Sequence, residues 1–181
     1  MSGLRTGQVV RALIVGWLLG VLTPPVLILG MAWLGLIPSL ANAPQPAWAR
    51  AISRMAFYNF AERHAQQAVS PIPSTEDNLM AGLNVYKVAC SGCHGGPGSP
   101  SAYGASFYPA APQFADVPPR LPDYELFWII RNGVRYSGMS AHDRDWDNDE
   151  AKSDDQMWKA ALFLSRIGTL PRAVSAAWRE K

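Results

Sequence analysis

The sequence predicts a mostly helical protein in which one N-terminal membrane-spanning helix precedes a small helical domain. A long stretch near the N-terminus lacks ionisable side chains, and apolar residues elsewhere recur with helical spacing. No segment shows the alternation of apolar and polar residues that is typical of strands. Hydrophobic residues make up 49% of the 181 residues and charged residues 17%, with the apolar excess concentrated in the N-terminal stretch.

The candidate membrane segment runs from Ala12 to Leu40, 29 residues without an ionisable side chain. A helix of that length would reach about 43 Å, more than the roughly 30 Å hydrocarbon core of a bilayer. Pro24 and Pro25 remove two consecutive backbone donors, so we expect the helix to kink there or to break into two half-helices. The freed carbonyls then need partners, such as Thr23 or a neighbouring subunit.

A cleaved signal peptide is the alternative interpretation of this segment, with the small residues Ala41-Asn42-Ala43 as the cleavage site. The apolar run is longer than the usual 7–15-residue core of a signal peptide, and Pro44 directly follows the site. We therefore predict that residues 1–43 form a cytoplasmic N-terminus and a transmembrane anchor, kinked at the two prolines.

Residues 44–73 are predicted to form a linker and an amphipathic helix from about Trp48 to Val69. One helical face carries the apolar residues Trp48, Ile52, Met55, Ala56 and Phe60. We expect such a helix to pack on its own domain or on a partner subunit, and a position among lipid headgroups is the alternative. The stiff segment Pro71-Ile72-Pro73 then separates it from the globular domain.

The globular domain is predicted at residues 74–168, with 169–181 as a C-terminal tail. Three helices are expected, at about Thr75–Ser91, Asp123–Arg131 and Ser153–Ile167, the last capped by a Ser153 and Gln156 pair. The connection from Gly95 to Leu121 is too long for an unsupported loop in a compact domain, and wrapping around a large apolar cofactor would hold it.

The residues Cys90-Ser91-Gly92-Cys93-His94 form the attachment motif of c-type haem. Two thiols at this spacing reach the two vinyl groups of one porphyrin, and the imidazole of His94 binds the iron. A thioredoxin-like dithiol would need a βαβ context, and a zinc site would need a further ligand from His64 or His142. The motif therefore predicts one haem c, covalently bound through Cys90 and Cys93.

Met139 is the candidate for the second axial ligand, because it lies in a glycine-containing loop after the second helix of the domain. His142 is the alternative, and an open sixth position is the third possibility. The other methionines belong to predicted helices or precede the domain, where packing explains them.

Residues 74–168 resemble a class I cytochrome c domain through Gly82, Tyr86 and the attachment motif, and through Arg131-Asn132-Gly133 followed by Tyr136-Ser137-Gly138-Met139. The resemblance implies a helical domain wrapped around one haem, with Gly82 allowing close crossing by a C-terminal helix that presents Trp158, Leu162 and Phe163. It also implies that the carbonyl of a loop proline, here Pro112, accepts the ring N–H of His94. Pro109, Pro118 and Pro119 are competing candidates. Ser140 departs from the family, which often has proline there.

Haem propionates need charged or polar donors, and the candidates are Arg135 and Tyr136, then Arg131 and Trp128. The alternative for each is a solvated or packing side chain. Half of the 14 acidic residues lie between His142 and Asp155. They form a solvated surface, a docking patch for a basic partner, or, through Asp143, Asp145 and Asp147, an imperfect calcium loop that lacks the expected glycine.

The sequence therefore predicts an electron carrier rather than an enzyme, because a His/Met iron leaves no position for substrate. The expected partners are redox proteins, within a respiratory or photosynthetic membrane complex, and membrane lipid. The net charge of +2, without a basic run, excludes nucleic acid. Since haem c is attached outside the cytoplasm, the resemblance places the domain on the periplasmic side of a bacterial inner membrane. The alternatives are a haem gas sensor or peroxidase with an open sixth site, and a structural subunit of a membrane complex.

Overall fold

The computed structural model of the chain describes residues 2–40, 43, 46–142 and 150–180. Within these ranges, all regular structure is helical apart from one isolated β-bridge between Gly96 and Ser99. The chain separates into two compact units, Met1–Ala43 and Pro44–Lys181. The prediction of a mostly helical protein is confirmed.

The first unit contains one long helix, α1 (Ser2–Trp33). Residues Thr6–Trp33 form a segment with a mean hydropathy of 2.3, long and apolar enough to cross a membrane. The helix continues through Pro24 and Pro25 as one element, so it does not break into two half-helices. It ends well before Leu40, and Gly35 follows with a φ of +68°.

The Thr23 hydroxyl donates a hydrogen bond of 2.6 Å to the carbonyl of Leu19. The carbonyls left without a helical donor by the two prolines are those of Gly20 and Val21, because helical N–H groups bond four residues back. The Thr23 hydroxyl therefore bonds the carbonyl of Leu19 and neither of the two carbonyls that the prolines leave without a donor.

The second unit begins its regular structure with α2 (Ala47–His64) and α3 (Glu76–Val85). A π-helical turn (Tyr86–Cys90), α4 (Ser91–His94) and α5 (Ala102–Ala105) follow, and then α6 (Asp123–Asn132), α7 (Glu150–Arg166), a 3₁₀ turn (Ile167–Thr169) and α8 (Arg172–Arg179). Helix α2 is shorter than the sequence predicts, because the chain turns extended at the buried Ala65.

Helices α3 and α7 cross closely at Gly82. A Cβ placed on this glycine would lie 2.1 Å from the Lys159 carbonyl oxygen, so any larger residue would push the two helices apart. Around the crossing, α7 contributes Trp158, Leu162 and Phe163 to the core. This is the crossing that the family resemblance implies. Thr75 caps α3 by accepting a 3.3 Å hydrogen bond from the Asn78 amide.

Helix α8 lies in the segment that the sequence analysis left as a tail. Its Val174 and Trp178 are buried in the core, where the Trp178 ring lies 5.2 Å from Tyr86 and 5.4 Å from Phe163 between centroids. Lys87 also donates a 2.9 Å hydrogen bond to the Ala177 carbonyl of α8. These contacts stabilise a helix that would be too short to persist alone.

The predicted cap of the last long helix is wrong. Ser153 lies inside α7, three residues after its start, and its hydroxyl is buried without a hydrogen-bond partner among the described residues. The predicted calcium loop at Asp143, Asp145 and Asp147 lies outside the described residues.

Candidate functional site

The attachment motif lies where the first helix of the domain changes its hydrogen-bonding pattern. α3 gives way to the π-helical turn Tyr86–Cys90, and α4 then carries Cys93 and His94. A π turn inserts an extra residue per turn and often marks a functional site. At the two ends of this turn, Tyr86 is fully buried in the core and the half-buried Cys90 packs against the same core.

Both cysteines are free thiols, one helical turn apart. Burial raises the pKa of Cys90 to about 12, and the neighbouring Cys93 raises it further in the same direction. Dithiol redox motifs instead depend on a cysteine whose pKa is lowered. Cys90 is therefore held as a protonated thiol at neutral pH, unlike the reactive thiolate of a dithiol redox motif.

The imidazole of His94 is oriented by a backbone carbonyl. Its Nδ1 lies 2.8 Å from the carbonyl oxygen of Pro112. A carbonyl only accepts, so the Nδ1 atom carries the proton and the Nε2 lone pair is left for a metal. Burial lowers the pKa of His94, against the opposing effect of the Pro112 carbonyl, and this favours the neutral, metal-binding form.

Gln113 holds the loop that presents this carbonyl. Its side-chain oxygen accepts a 2.7 Å hydrogen bond from the Ser101 amide, and its nitrogen donates to the carbonyls of Cys93 and Ala111 at 3.2 and 3.0 Å. The residue thus joins the attachment motif to two positions of the long loop, Ser101 and Ala111. Sequence reasoning missed it, because a single glutamine in a proline-rich loop carries no recognisable pattern.

Three further contacts pack the long loop against the motif. The Tyr86 hydroxyl donates a 2.8 Å hydrogen bond to the carbonyl of Gly95, directly after His94. A Cβ on Gly104 would lie 1.8 Å from the Cys93 carbonyl oxygen, so only glycine allows α5 to approach α4. Phe114 stacks on the His94 ring at 4.3 Å between centroids and packs against the core.

Met139 is half-buried and packs against the same core as Cys90 and Phe114. Its loop is held by a 3.0 Å hydrogen bond from the Val134 amide to the Met139 carbonyl, and by a 3.1 Å bond from the Met139 amide to the Ser137 hydroxyl. Met157, in contrast, is fully buried in the core, and Met80 lies within α3. Among the methionines of the domain, Met139 is therefore the one that lies in a loop rather than in a helix.

The other predicted site residues are placed differently. Arg135 and Tyr136 are exposed, and Tyr136 adopts a φ of +60°, a left-handed conformation unusual for an aromatic residue. Arg131 forms an ion pair with Asp154, with 2.6 Å between its Nη1 and the Oδ1 atom. Trp128 packs 5.9 Å from Phe60 of α2, and the His142 amide donates to the Arg131 carbonyl.

The residues present fit a covalently bound haem. Both cysteines are free thiols, and Cys90 and the Met139 thioether pack against one apolar core. The His94 imidazole stacks on Phe114, which packs against the same core, and its Nε2 atom is not used by the hydrogen bond to Pro112. Within the described ranges, no group of three or more His, Cys, Asp or Glu residues could hold a metal ion by itself. Helical fold and site together define a domain of the cytochrome c class.

Comparison with protein families agrees with this class. Residues 77–164, just under half of the chain, match the family described as cytochrome C oxidase, cbb3-type, subunit III. This segment belongs to that family of class I c-type cytochromes, which supports a role in electron transfer. No curated protein and no solved structure matches the chain.

Proposed function

We propose that this protein is a membrane-anchored cytochrome that carries one haem c on Cys90 and Cys93, with His94 and Met139 as axial ligands. It transfers single electrons between redox proteins of a membrane complex and is a carrier rather than an enzyme. One observation supports the proposal most directly. In the attachment motif, the Nδ1–H group of His94 donates a hydrogen bond to the Pro112 carbonyl, as a metal-binding imidazole would.

Each residue of the site has a defined task in this proposal. The thiols of Cys90 and Cys93 would add to the two haem vinyl groups as thioethers, and the carbonyl of Pro112 would keep the Nε2 atom of His94 free to bind the iron. Met139 would provide the second iron ligand and leave no position for substrate. Bound haem would supply one-electron redox chemistry, at a potential raised by His/Met ligation. Arg135 and Tyr136 are proposed as partners of the haem propionates.

The setting of this chemistry belongs to the same proposal. Helix α1 supports a single-pass anchor, because Thr6–Trp33 is long and apolar enough to cross a membrane. We place the anchor in a bacterial inner membrane with residues 74–168 as the cytochrome domain on the periplasmic side, where haem c is attached. The name of the matched family points to a partner within an oxidase-type membrane complex.

The proposal is tested by haem staining after denaturing electrophoresis. Stain should remain on the wild-type chain and disappear when Cys90→Ala and Cys93→Ala are combined, because only thioether bonds survive denaturation. The Ser91→Ala variant is the matched control: it lies between the cysteines, loses a 2.6 Å hydrogen bond to the Lys87 carbonyl, and should keep the stain. Haem that leaves the wild-type chain on denaturation would contradict the proposal.

A further inference from the structure

The two halves of helix α2 have different surroundings. In the C-terminal half, Ala61 is fully buried, and Phe60 packs against Trp128 of α6 at 5.9 Å between ring centroids. In the N-terminal half, the large apolar side chains Trp48, Ile52 and Met55 are 69%, 54% and 59% exposed. Packing against the domain thus explains the apolar residues of the C-terminal half, but it does not explain the exposed apolar residues of the N-terminal half.

The packed and the exposed side chains lie on different sides of the helix, so Phe60 does not share the face of Trp48 and Ile52 as the sequence predicts. At about 100° per residue, Trp48, Ile52 and Met55 fall within an arc of about 60°. The direction midway between Phe60 and Ala61 lies about 160° from the centre of that arc. A surface that covered the exposed residues would therefore lie across the helix from α6, and α2 would be held between the domain and that surface.

The charges of this half suit an anionic layer. Arg50 and Arg54 lie away from the apolar arc, and no acidic residue occurs in α2 before Glu62. An apolar face that includes tryptophan, opposite a polar face with arginines, is the pattern of a helix that lies in a membrane interface.

The chain also keeps this half of α2 within reach of a bilayer. Between the end of α1 at Trp33 and the start of α2 at Ala47 lie 13 residues, which extend over about 45 Å at most. The first part of this connection adds the exposed residues Leu34, Leu36, Ile37 and Leu40, with no charge among them. Up to Leu40, the connection therefore contains no charged side chain that would favour bulk water over the headgroup layer.

We propose that the N-terminal half of α2, through Trp48, Ile52 and Met55, lies in the phospholipid headgroup layer of the membrane that α1 crosses. The C-terminal half of the same helix holds the cytochrome domain above that layer. This inference rests on the membrane anchor of the proposed function. It adds a second lipid contact that fixes how the domain faces the membrane.

Photo-crosslinking of the full-length holoprotein tests the proposal. Once the haem is bound, Cys90 and Cys93 no longer react, so a single introduced cysteine takes a benzophenone maleimide alone. Ile52→Cys and Met55→Cys probe the apolar arc, and Ser53→Cys, exposed and about 140° around the helix from Trp48, is the matched control. The labelled protein is irradiated in the membranes in which it is produced and is then analysed by mass spectrometry.

We expect the mass of one phospholipid to be added at positions 52 and 55 and not at position 53. Adducts between two copies of this chain at position 52, adducts to another polypeptide, or no adduct at all would each overturn the proposal. Equal lipid labelling at all three positions would also overturn it, because the helix would then have no lipid-facing side.

Failure of the underlying function can be recognised separately. Haem staining of each variant reports attachment and folding, and label on the unmutated chain would reveal unbonded Cys90 or Cys93. Release of the protein by alkaline washing would show that the anchor itself is absent. A retained, haem-stained protein without lipid adducts would therefore contradict the α2 inference alone.

Discussion

At the scale of single residues, the position of one proton on His94 determines what the site can bind. Because Pro112 offers only a carbonyl at 2.8 Å, the Nδ1 atom must donate, and the Nε2 atom stays an acceptor for metal. The same contact limits rotation of the ring, and Phe114 stacks against its face. The loop that follows the motif therefore fixes the orientation of the His94 imidazole.

The proposed role of Met139 as the distal ligand gives the first prediction at this scale. Met139→Ala should abolish the far-red absorption band of an iron–thioether bond and should open the ferrous iron to carbon monoxide. Its reduction potential should fall, within the roughly 0.8 V range over which axial ligands set haem potentials. Visible spectroscopy and potentiometric titration measure these changes.

His142→Ala is the comparison for this prediction, because His142 is the alternative ligand and its amide bonds the Arg131 carbonyl. Under the proposal this variant keeps both the band and the potential. Ready carbon monoxide binding by the unmutated ferrous protein would instead favour a sensor or peroxidase with an open or labile sixth site.

The second prediction concerns Gln113. Gln113→Ala removes the donors to the Cys93 and Ala111 carbonyls and the acceptor of the Ser101 amide, so it should lower the free energy of unfolding by about 1–3 kcal/mol. Chemical denaturation of the holoprotein measures the loss. Gln67→Ala, at an exposed position, should change stability by less than about 0.5 kcal/mol. Equal stability of the two variants would show that the Gln113 contacts contribute little.

The difference between Cys90 and Gln113 shows what the sequence allows at this scale. Cysteine and histidine spacing reports chemistry directly, since few other functions need two thiols and an imidazole in five residues. The Gln113 contacts join residues up to 20 positions apart, across a loop without periodicity. Only the folded chain brings those partners together. The placement of Pro112 against His94 came from the family resemblance, with other prolines left as candidates.

At the scale of helices, the contact between α2 and α6 includes two carboxyl groups. Glu125 of α6 is buried, which raises its pKa, and the negative charge of Glu62 on α2 raises it further. A carboxyl with a raised pKa binds its proton more tightly in the folded than in the unfolded chain. Protonated Glu125 therefore stabilises the folded chain at pH values below 4.5, the ordinary pKa of the carboxyl. This stabilisation is lost as the pH rises through the raised pKa of the folded state.

The third prediction follows from this sign. Glu125→Gln should increase the free energy of unfolding at neutral pH, because the amide needs no ionisation in a buried place. The advantage should vanish below pH 4.5, where the wild-type carboxyl is protonated in both states. Denaturation at the two pH values measures the difference.

Glu76→Gln provides a control of opposite sign. Glu76 lies in the first turn of α3, where the helix dipole favours a negative charge, so its replacement should slightly lower stability at neutral pH. A Glu125→Gln variant that is less stable than the wild type at neutral pH would show that the carboxylate has a favourable partner.

Helix prediction succeeded where apolar periodicity was long and failed where tertiary contacts decide. α3 and α6 begin close to their predicted starts, at a capping threonine and after Pro122. The eight residues of α8 have only two buried positions, Val174 and Trp178, too few for a periodic signal. The Ser153 pattern matched a cap by local spacing, but the helix begins earlier and buries that serine.

At the scale of the whole molecule, the chain divides into a unit with the apolar helix α1 and a unit with its own core. Leu83, Tyr86, Leu162 and Phe163 are almost completely buried in that core, so the second unit has the packing of an independent domain. In α1, by contrast, the large apolar side chains are exposed, for example Leu13 at 68% and Trp17 at 67%. Such a surface is costly in water and favourable in lipid.

The last prediction is that the full-length protein stays in the membrane fraction after high-salt and alkaline washing. Salt removes proteins held by charge and alkali removes those held by other proteins, whereas α1 is held by the burial of apolar surface in lipid. Haem staining of the pellet and the supernatant measures the distribution, and mass spectrometry of the retained chain reports its N-terminus. Retention with residues 1–43 present supports the anchor. A haem-stained supernatant that contains a chain beginning near Pro44 would show that the apolar segment is a cleaved signal peptide, and the electron carrier would then be a free periplasmic protein.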